Sequence, residues 1–140
     1  MLAIIQPSVF VKVDYGLLAT FACFFIFVGN VKNIPEVTQF ISSVISGHEF
    51  ESSVLCSQII SNVPASVMLS AFTDDYKSLI LGTDIGGLGT LIASLASLIS
   101  YKSYLRSEKS DSKKFINCFT IVNIIFLAVL VPLAKFVILK

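Results

Sequence analysis

Ser57-Gln58-Ile59-Ile60-Ser61-Asn62-Val63-Pro64-Ala65-Ser66 is a polar, proline-bearing tip between two apolar arms, with Val54-Leu55-Cys56 leading in and Val67-Met68-Leu69-Ser70-Ala71-Phe72 leading out, and its reading decides the fold. Each arm is about ten residues, roughly 15 Å if helical, so neither crosses a bilayer core of ~30 Å alone. A single span of about 20 residues would hold Asn62 and Pro64 near its middle, where a freed backbone group costs on the order of 2 to 7 kcal/mol unless something satisfies it. Two half-helices that meet at Ser61-Asn62 and return to one side avoid that cost, so residues 51–73 read as a re-entrant hairpin. Glu49 and Glu51 before it, with Asp74 and Asp75 after it, agree with both mouths facing one aqueous phase.

The partner of this tip is the run Gly82-Thr83-Asp84-Ile85-Gly86-Gly87-Leu88-Gly89-Thr90. Each of its four glycines costs about 1 kcal/mol relative to Ala in a helix interior. Residues 76–101 are long enough to span, so they read as a discontinuous transmembrane helix: a short half, an unwound loop over 82–90, then a second half with small residues on one face. Asp84 falls in that loop, and a carboxylate deep in a membrane costs at least about 3 kcal/mol unless paired, protonated or bound to a cation. A cap on the second half-helix is the structural alternative for Asp84.

Composition sets the class. The 140 residues are 55% hydrophobic and 14% charged, with a mean hydropathy of +0.87, whereas soluble domains carry roughly 25% charged residues. The chain lacks the polar surface to cover itself in water and reads as an integral, all-α, polytopic membrane protein. A net charge of +1 argues against a nucleic-acid partner, because no basic face is available to neutralise phosphates. Cys23, Cys56 and Cys118 are odd in number and lie in apolar segments, so they read as small core residues rather than a disulfide framework.

Around the hairpin the chain divides by charge and period. Residues 13–31 form a first transmembrane helix flanked by Lys12 and Lys32, with Asn30 near its end as a cap. Over residues 35–47, Val37, Phe40, Ile41, Val44 and Ile45 recur at helical spacing among polar residues, the pattern of an amphipathic helix lying at the interface. His48 falls in a solvated turn. Residues 102–114 hold Lys102, Arg106, Lys109, Lys113 and Lys114 against Glu108 and Asp111, so this loop is expected in the cytoplasm. Residues 115–139 close the chain as a last span, which puts the hairpin mouths and the C-terminus outside.

At these residues a resemblance enters. SQIISNVPASVMLSAFT followed by LGTDIGGLGTLIASLASLISY resembles the second half of the ion transporter superfamily, which includes arsenite permeases, sodium–dicarboxylate symporters and citrate–metal carriers. VDYGLLATFACFFIFVGNVKNIPEV is similar to the helix that precedes the hairpin in the arsenite-permease-like branch. The resemblance implies one half of an inverted repeat, with substrate and coupling ions held near the midplane between the tips. It implies Ser61 and Asn62 as the hairpin-tip pair and Thr83, Asp84, Gly86, Gly87, Gly89 and Thr90 as loop residues of a substrate and ion site. The dicarboxylate branch has Ser-Asn-Thr at the tip, whereas here Ser61-Asn62 is followed by Val63-Pro64, which favours the arsenite-like branch. Relatives often show Asn at the position of Asp84, so its charge is an extra cation ligand or a proton site.

The expected function is half of a secondary transporter in the bacterial cytoplasmic membrane, moving an anion or oxyanion with Na⁺ or H⁺ and holding no resident cofactor or metal. Family members carry both repeats in one chain, so this one reads as a fragment, a truncated product or a half that pairs with a missing N-terminal repeat, a second half or a further copy of itself. The competing reading is a non-transporting membrane subunit or remnant that packs against a partner permease. An enzyme is not expected, since Ser61 has no base within reach and His48 lies in a loop.

Overall fold

Pro35 opens its helix at the first turn, where its missing N–H is not needed, and so breaks the apolar run before it from the amphipathic segment after it. The computed structural model describes residues 15–107 and 110–138 of the protein, and over these it is all-helical with no strand. Helix α1 covers Tyr15–Val31 and α2 covers Pro35–Ile45, and the two meet at 99°. The expected start of α1 at 13 lies outside the described residues. Gly47, at φ +79°, then turns the chain into α3, Glu49–Ile60.

Ser61 separates α3 from α4, Asn62–Leu69, and the two arms pack against each other as the hairpin. The first arm begins at Glu49 rather than 51. Helix α5 runs Tyr76–Gly86, irregular backbone covers 87–94, and α6 runs Leu95–Leu105. The helix is therefore broken, but five residues later than the glycines predict. Gly82 and Gly86 remain helical because their missing Cβ atoms serve packing: a Cβ on Gly82 would stand 2.6 Å from the Phe50 carbonyl oxygen and 2.7 Å from Ser53 Cβ, and one on Gly86 would stand 2.8 Å from Ser57 Cβ. Ser53 and Ser57, fully buried, turn their hydroxyls back onto the carbonyls of Glu49 and Ser53, so the α3–α5 seam carries small residues on both sides and no unanswered polar atom.

Two apolar clusters hold the elements together. Ile45, Leu69, Phe72 and Leu79 join α2, the end of α4 and α5, with Val31 and Cys56 against them. Phe50, Val54 and Ala134 join α3 to the end of the last helix. That helix, α7, covers Ser112–Leu133 and begins three residues before the expected 115, where Asp111 caps it by accepting from the Lys114 amide. Pro132 lacks the N–H that would close its turn, and the next residues, Ala134–Ile138, wind as a π-helix. An aromatic stack of Tyr101, Tyr104, Phe115 and Phe119 ties α6 to α7.

The outer surface is apolar. Phe25, Ile26, Phe27, Ile121, Ile124, Ile125 and Phe126 are all more than half exposed, and α6 and α7 bury none of their residues. Cys23 and Cys118 lie on this surface rather than in the core, because α1 and α7 contribute little to it; Cys56 alone of the three is partly covered. Such a surface is stable only against lipid or further protein. Among the described residues, 112–137 form the one helix long and apolar enough to cross a membrane unbroken.

Candidate functional site

The hairpin tip is docked on the irregular run that follows α5. Ser61 adopts φ +77° and ψ 151°, which ends α3 and sends α4 back alongside it. Its amide still reaches the Ser57 carbonyl at 3.1 Å, and the next amide, of Asn62, donates to the Ala93 carbonyl at 2.9 Å. The Ser61 hydroxyl, buried, donates to the same Ala93 oxygen at 3.5 Å. Tip and run are thus joined by one backbone bond and one hydroxyl bond, both to the Ala93 carbonyl, at the level where both helices are broken.

Gln58, one turn before the tip, completes the joint. Its Nε2 donates to the carbonyls of Gly86 at 2.6 Å and Leu88 at 2.8 Å, and its Oε1 accepts from the Thr90 amide at 3.1 Å. Thr90 answers by donating its hydroxyl to the Gln58 carbonyl at 3.3 Å. Gly89, at φ +104°, lies against this carboxamide, and a Cβ there would stand 2.4 Å from Oε1. One side chain thereby satisfies three backbone groups that unwinding sets free, which in a low-dielectric setting is the condition for irregular backbone to persist.

Of the residues expected from the sequence, Ser61, Asn62, Gly87, Gly89 and Thr90 come together here. The Asn62 carboxamide accepts from the Val63 amide at 2.9 Å, and its Nδ2 lies against Gly87, 3.1 Å from where a Cβ would be. Gly86 belongs to the α3–α5 seam. Thr83 is buried inside α5 and its hydroxyl donates to the carbonyls of Leu79 and Ile80 at 3.0 Å each, so it is committed to its own helix. Asp84 is also helical, exposed, two residues from both Gly82 and Gly86 and therefore on the opposite side of α5. It does not cap α6; the Ser94 hydroxyl does, accepting from the Ala96 amide at 3.2 Å. Gln58 and Ala93 are the residues that sequence reasoning missed. The one signal for Gln58 was a long amide between Ser57 and the apolar pair Ile59-Ile60, within a turn of the break.

Beside the tip, Thr20, Phe21, Phe24, Ile60, Ser61, Pro64 and Leu95 line a largely apolar hollow of about 320 Å³. At the other end of the hairpin, the mouth, the lining is polar: His48, Glu49, Glu51, Asp75, Ser78 and Lys135 border a hollow of about 480 Å³. Lys135, carried in by the π turn, pairs with Glu51. Asp75 caps α5: its carboxylate accepts from the Ser78 hydroxyl at 2.5 Å and the Ser78 amide at 3.1 Å, and the hydroxyl first, then the amide, holds it below the ordinary carboxylate range. Among the described residues no group of three or more His, Cys, Asp or Glu side chains is placed to hold a metal ion.

A docked helical hairpin, a braced break in the neighbouring helix and an apolar exterior define a membrane-type helical module. Comparison with known proteins agrees in kind. The chain is 39% identical over 127 residues to a Methanocaldococcus jannaschii protein named as an uncharacterized transporter, a match covering 89% of this chain and 35% of that protein. It is 30% identical over 103 residues to the inner membrane protein YbiR of Escherichia coli K12, covering 71% of this chain and 28% of that one. The chain thus spans about a third of the length of the curated relatives it matches. No family model matches it, and no solved structure gives a significant match.

Proposed function

We propose that the chain is one structural half of a secondary transporter that moves a small anion or oxyanion across the cytoplasmic membrane, coupled to Na⁺ or H⁺. The observation that carries the reading is the joint between two broken helices, Ser61-Asn62 on the hairpin and residues 87–93 beside α5, in a chain similar to a protein named as a transporter. Half-helix ends facing one another at mid-depth are how irregular backbone presents dipoles and carbonyls to an ion. The Lys135–Glu51 pair supports a shared aqueous side for the hairpin mouth and the end of α7, with the 102–114 loop in the cytoplasm. The partners are the bilayer, the missing N-terminal repeat, a second half-transporter or a further copy of the chain, and the small anion itself. No catalytic role is assigned: Ser61 and His48 stand at opposite ends of the twelve-residue α3.

This reading keeps Asn62, Thr83 and Asp84 as its ion or proton residues; Asp84 is exposed on the side of α5 away from Gly82 and Gly86 and Thr83 is committed to its own helix, so the three form one site only with the rest of the transporter in place. In proteoliposomes of the full-length protein, uptake of arsenite, citrate and succinate is measured against pH and Na⁺. Asp84→Asn is expected to abolish the dependence on one of the two coupling ions while the protein stays folded. Unchanged uptake with both dependences intact would remove Asp84 from the site.

A second reading has its own observation. Gln58, Thr90 and Ala93 tie tip and loop to each other directly, as a purely structural joint would. A non-transporting subunit that packs against a larger permease is then expected to co-purify with it and to leave substrate flux at wild-type level when deleted.

A further inference from the structure

The carbonyl oxygens of Gly86 and Leu88, at 2.6 and 2.8 Å, and that of Val54, at 3.5 Å, converge on one atom, Gln58 Nε2. Two of the three sit at or just past the C-terminal end of α5, where the aligned peptide dipoles leave about half a negative charge. Carbonyls at the end of an interrupted half-helix are the ligands that transport proteins offer to Na⁺. Here the ligands face a carboxamide nitrogen, whose two N–H donors match the two short contacts. The carbonyl end of the same carboxamide is held by the Thr90 amide, so the group cannot turn over without losing a bond at each end. Gly89 makes the room the carboxamide occupies, since a Cβ there would stand 2.4 Å from Oε1. Among the described residues no carboxylate is bonded to the cluster; Asp84 lies on the side of α5 away from Gly86.

We propose that the Gln58 carboxamide is a tethered substitute for a monovalent cation, closing the C-terminal end of α5 so that no Na⁺ binds between the carbonyls of Gly86 and Leu88. It deepens the transporter reading by assigning any Na⁺ coupling to groups outside this loop. Gln58 is a positioning residue, acting on the backbone that would meet the ion. Gln58→Glu replaces a donor by an oxygen facing two acceptor oxygens, an arrangement that only a proton or a bound cation relieves.

The test is hydrogen–deuterium exchange of the peptide covering residues 86–93 in the purified full-length protein, in NaCl and in choline chloride of equal ionic strength at alkaline pH. Because the readout is local, ion binding elsewhere in the protein does not obscure it. Wild-type exchange is expected to be the same in both salts. In Gln58→Glu, exchange is expected to be faster in choline chloride and slowed by NaCl on the order of tenfold or more, as a ligand-linked opening requires. Na⁺-specific protection of this peptide in the wild type overturns the proposal, and this measurement decides alone if the variant fails to fold. A folded Gln58→Glu whose exchange ignores Na⁺ also overturns it. Neither result depends on flux, so failure of the transporter reading would show separately, as absent uptake.

Discussion

Ser61 holds a backbone conformation, φ +77° with ψ 151°, that costs a residue with a Cβ on the order of 1 to 3 kcal/mol. What it achieves is direction: its own amide closes α3 while the following amide points at Ala93. Ser61→Gly is expected to raise stability toward denaturant by about 1 kcal/mol, since glycine enters this region freely and the lost hydroxyl bond is long. Ser61→Val is expected to lower it by ~2 kcal/mol, because a β-branched side chain is least tolerated at positive φ. Unfolding of both variants in detergent checks the pair, and equal stabilities would mean the tip is not strained.

At the scale of elements, the α3–α5 seam decides how near the two broken helices come. At Gly82 an added methyl meets the Phe50 carbonyl as well as Ser53 Cβ; at Gly86 it meets Ser57 Cβ and Oγ at 2.8 and 2.9 Å, and Val54 Cα only at 3.0 Å. Gly82→Ala and Gly86→Ala are each expected to cost about 1 to 3 kcal/mol by overpacking. Ser57→Gly should partly rescue Gly86→Ala, whereas Ser53→Gly should not rescue Gly82→Ala, because the obstructing atom there is backbone. The start of α5 makes a different prediction. The Asp75 carboxyl is depressed in the folded state, so the stability it contributes is present above its ordinary pKa of about 3.9 and lost as pH falls through the lower folded value. Asp75→Ala should cost ~1 kcal/mol at neutral pH, and Asp75→Asn should keep the cap while removing this part of the acid sensitivity. Thermal unfolding as a function of pH separates the two.

At the scale of the whole molecule, the chain folds as a hairpin and a broken helix flanked by α1 on one side and α7 on the other, and its exterior is left to lipid or to further protein. The Lys135–Glu51 pair joins α7 to the hairpin mouth, but side-chain exposures of 59% and 36% leave it worth less than ~1 kcal/mol. Its role is orientation: it sets the end of α7 beside the mouth. Thiols introduced at Glu51 and Asp74 are therefore expected to react from the same face of the membrane, and one at Ser110 from the opposite face. Reaction of the first two from opposite faces would make residues 51–73 a span and undo the hairpin.

The sequence by itself determined that a helical, lipid-compatible chain is interrupted twice. Asn62 and Pro64 in an apolar run, and few charges overall, are local and compositional facts that no packing can cancel. That the two interruptions meet was an expectation from the sequence, since each leaves backbone groups in need of a partner; the structure supplies one backbone bond, Asn62 to Ala93, and the Gln58 side chain. Which glycines unwind was decided in three dimensions. Glycine permits both a break and a close approach, and only the presence of Ser53 and Ser57 opposite Gly82 and Gly86 kept those two helical and moved the break to 87–94. Thr83 and Asp84 moved with them from loop to helix, which turned Thr83 inward and Asp84 out. Gln58 was in plain view as one amide on an apolar arm, yet its role depends on carbonyls 28 and 30 residues away along the chain, and such a pairing exists only once α3 lies against α5.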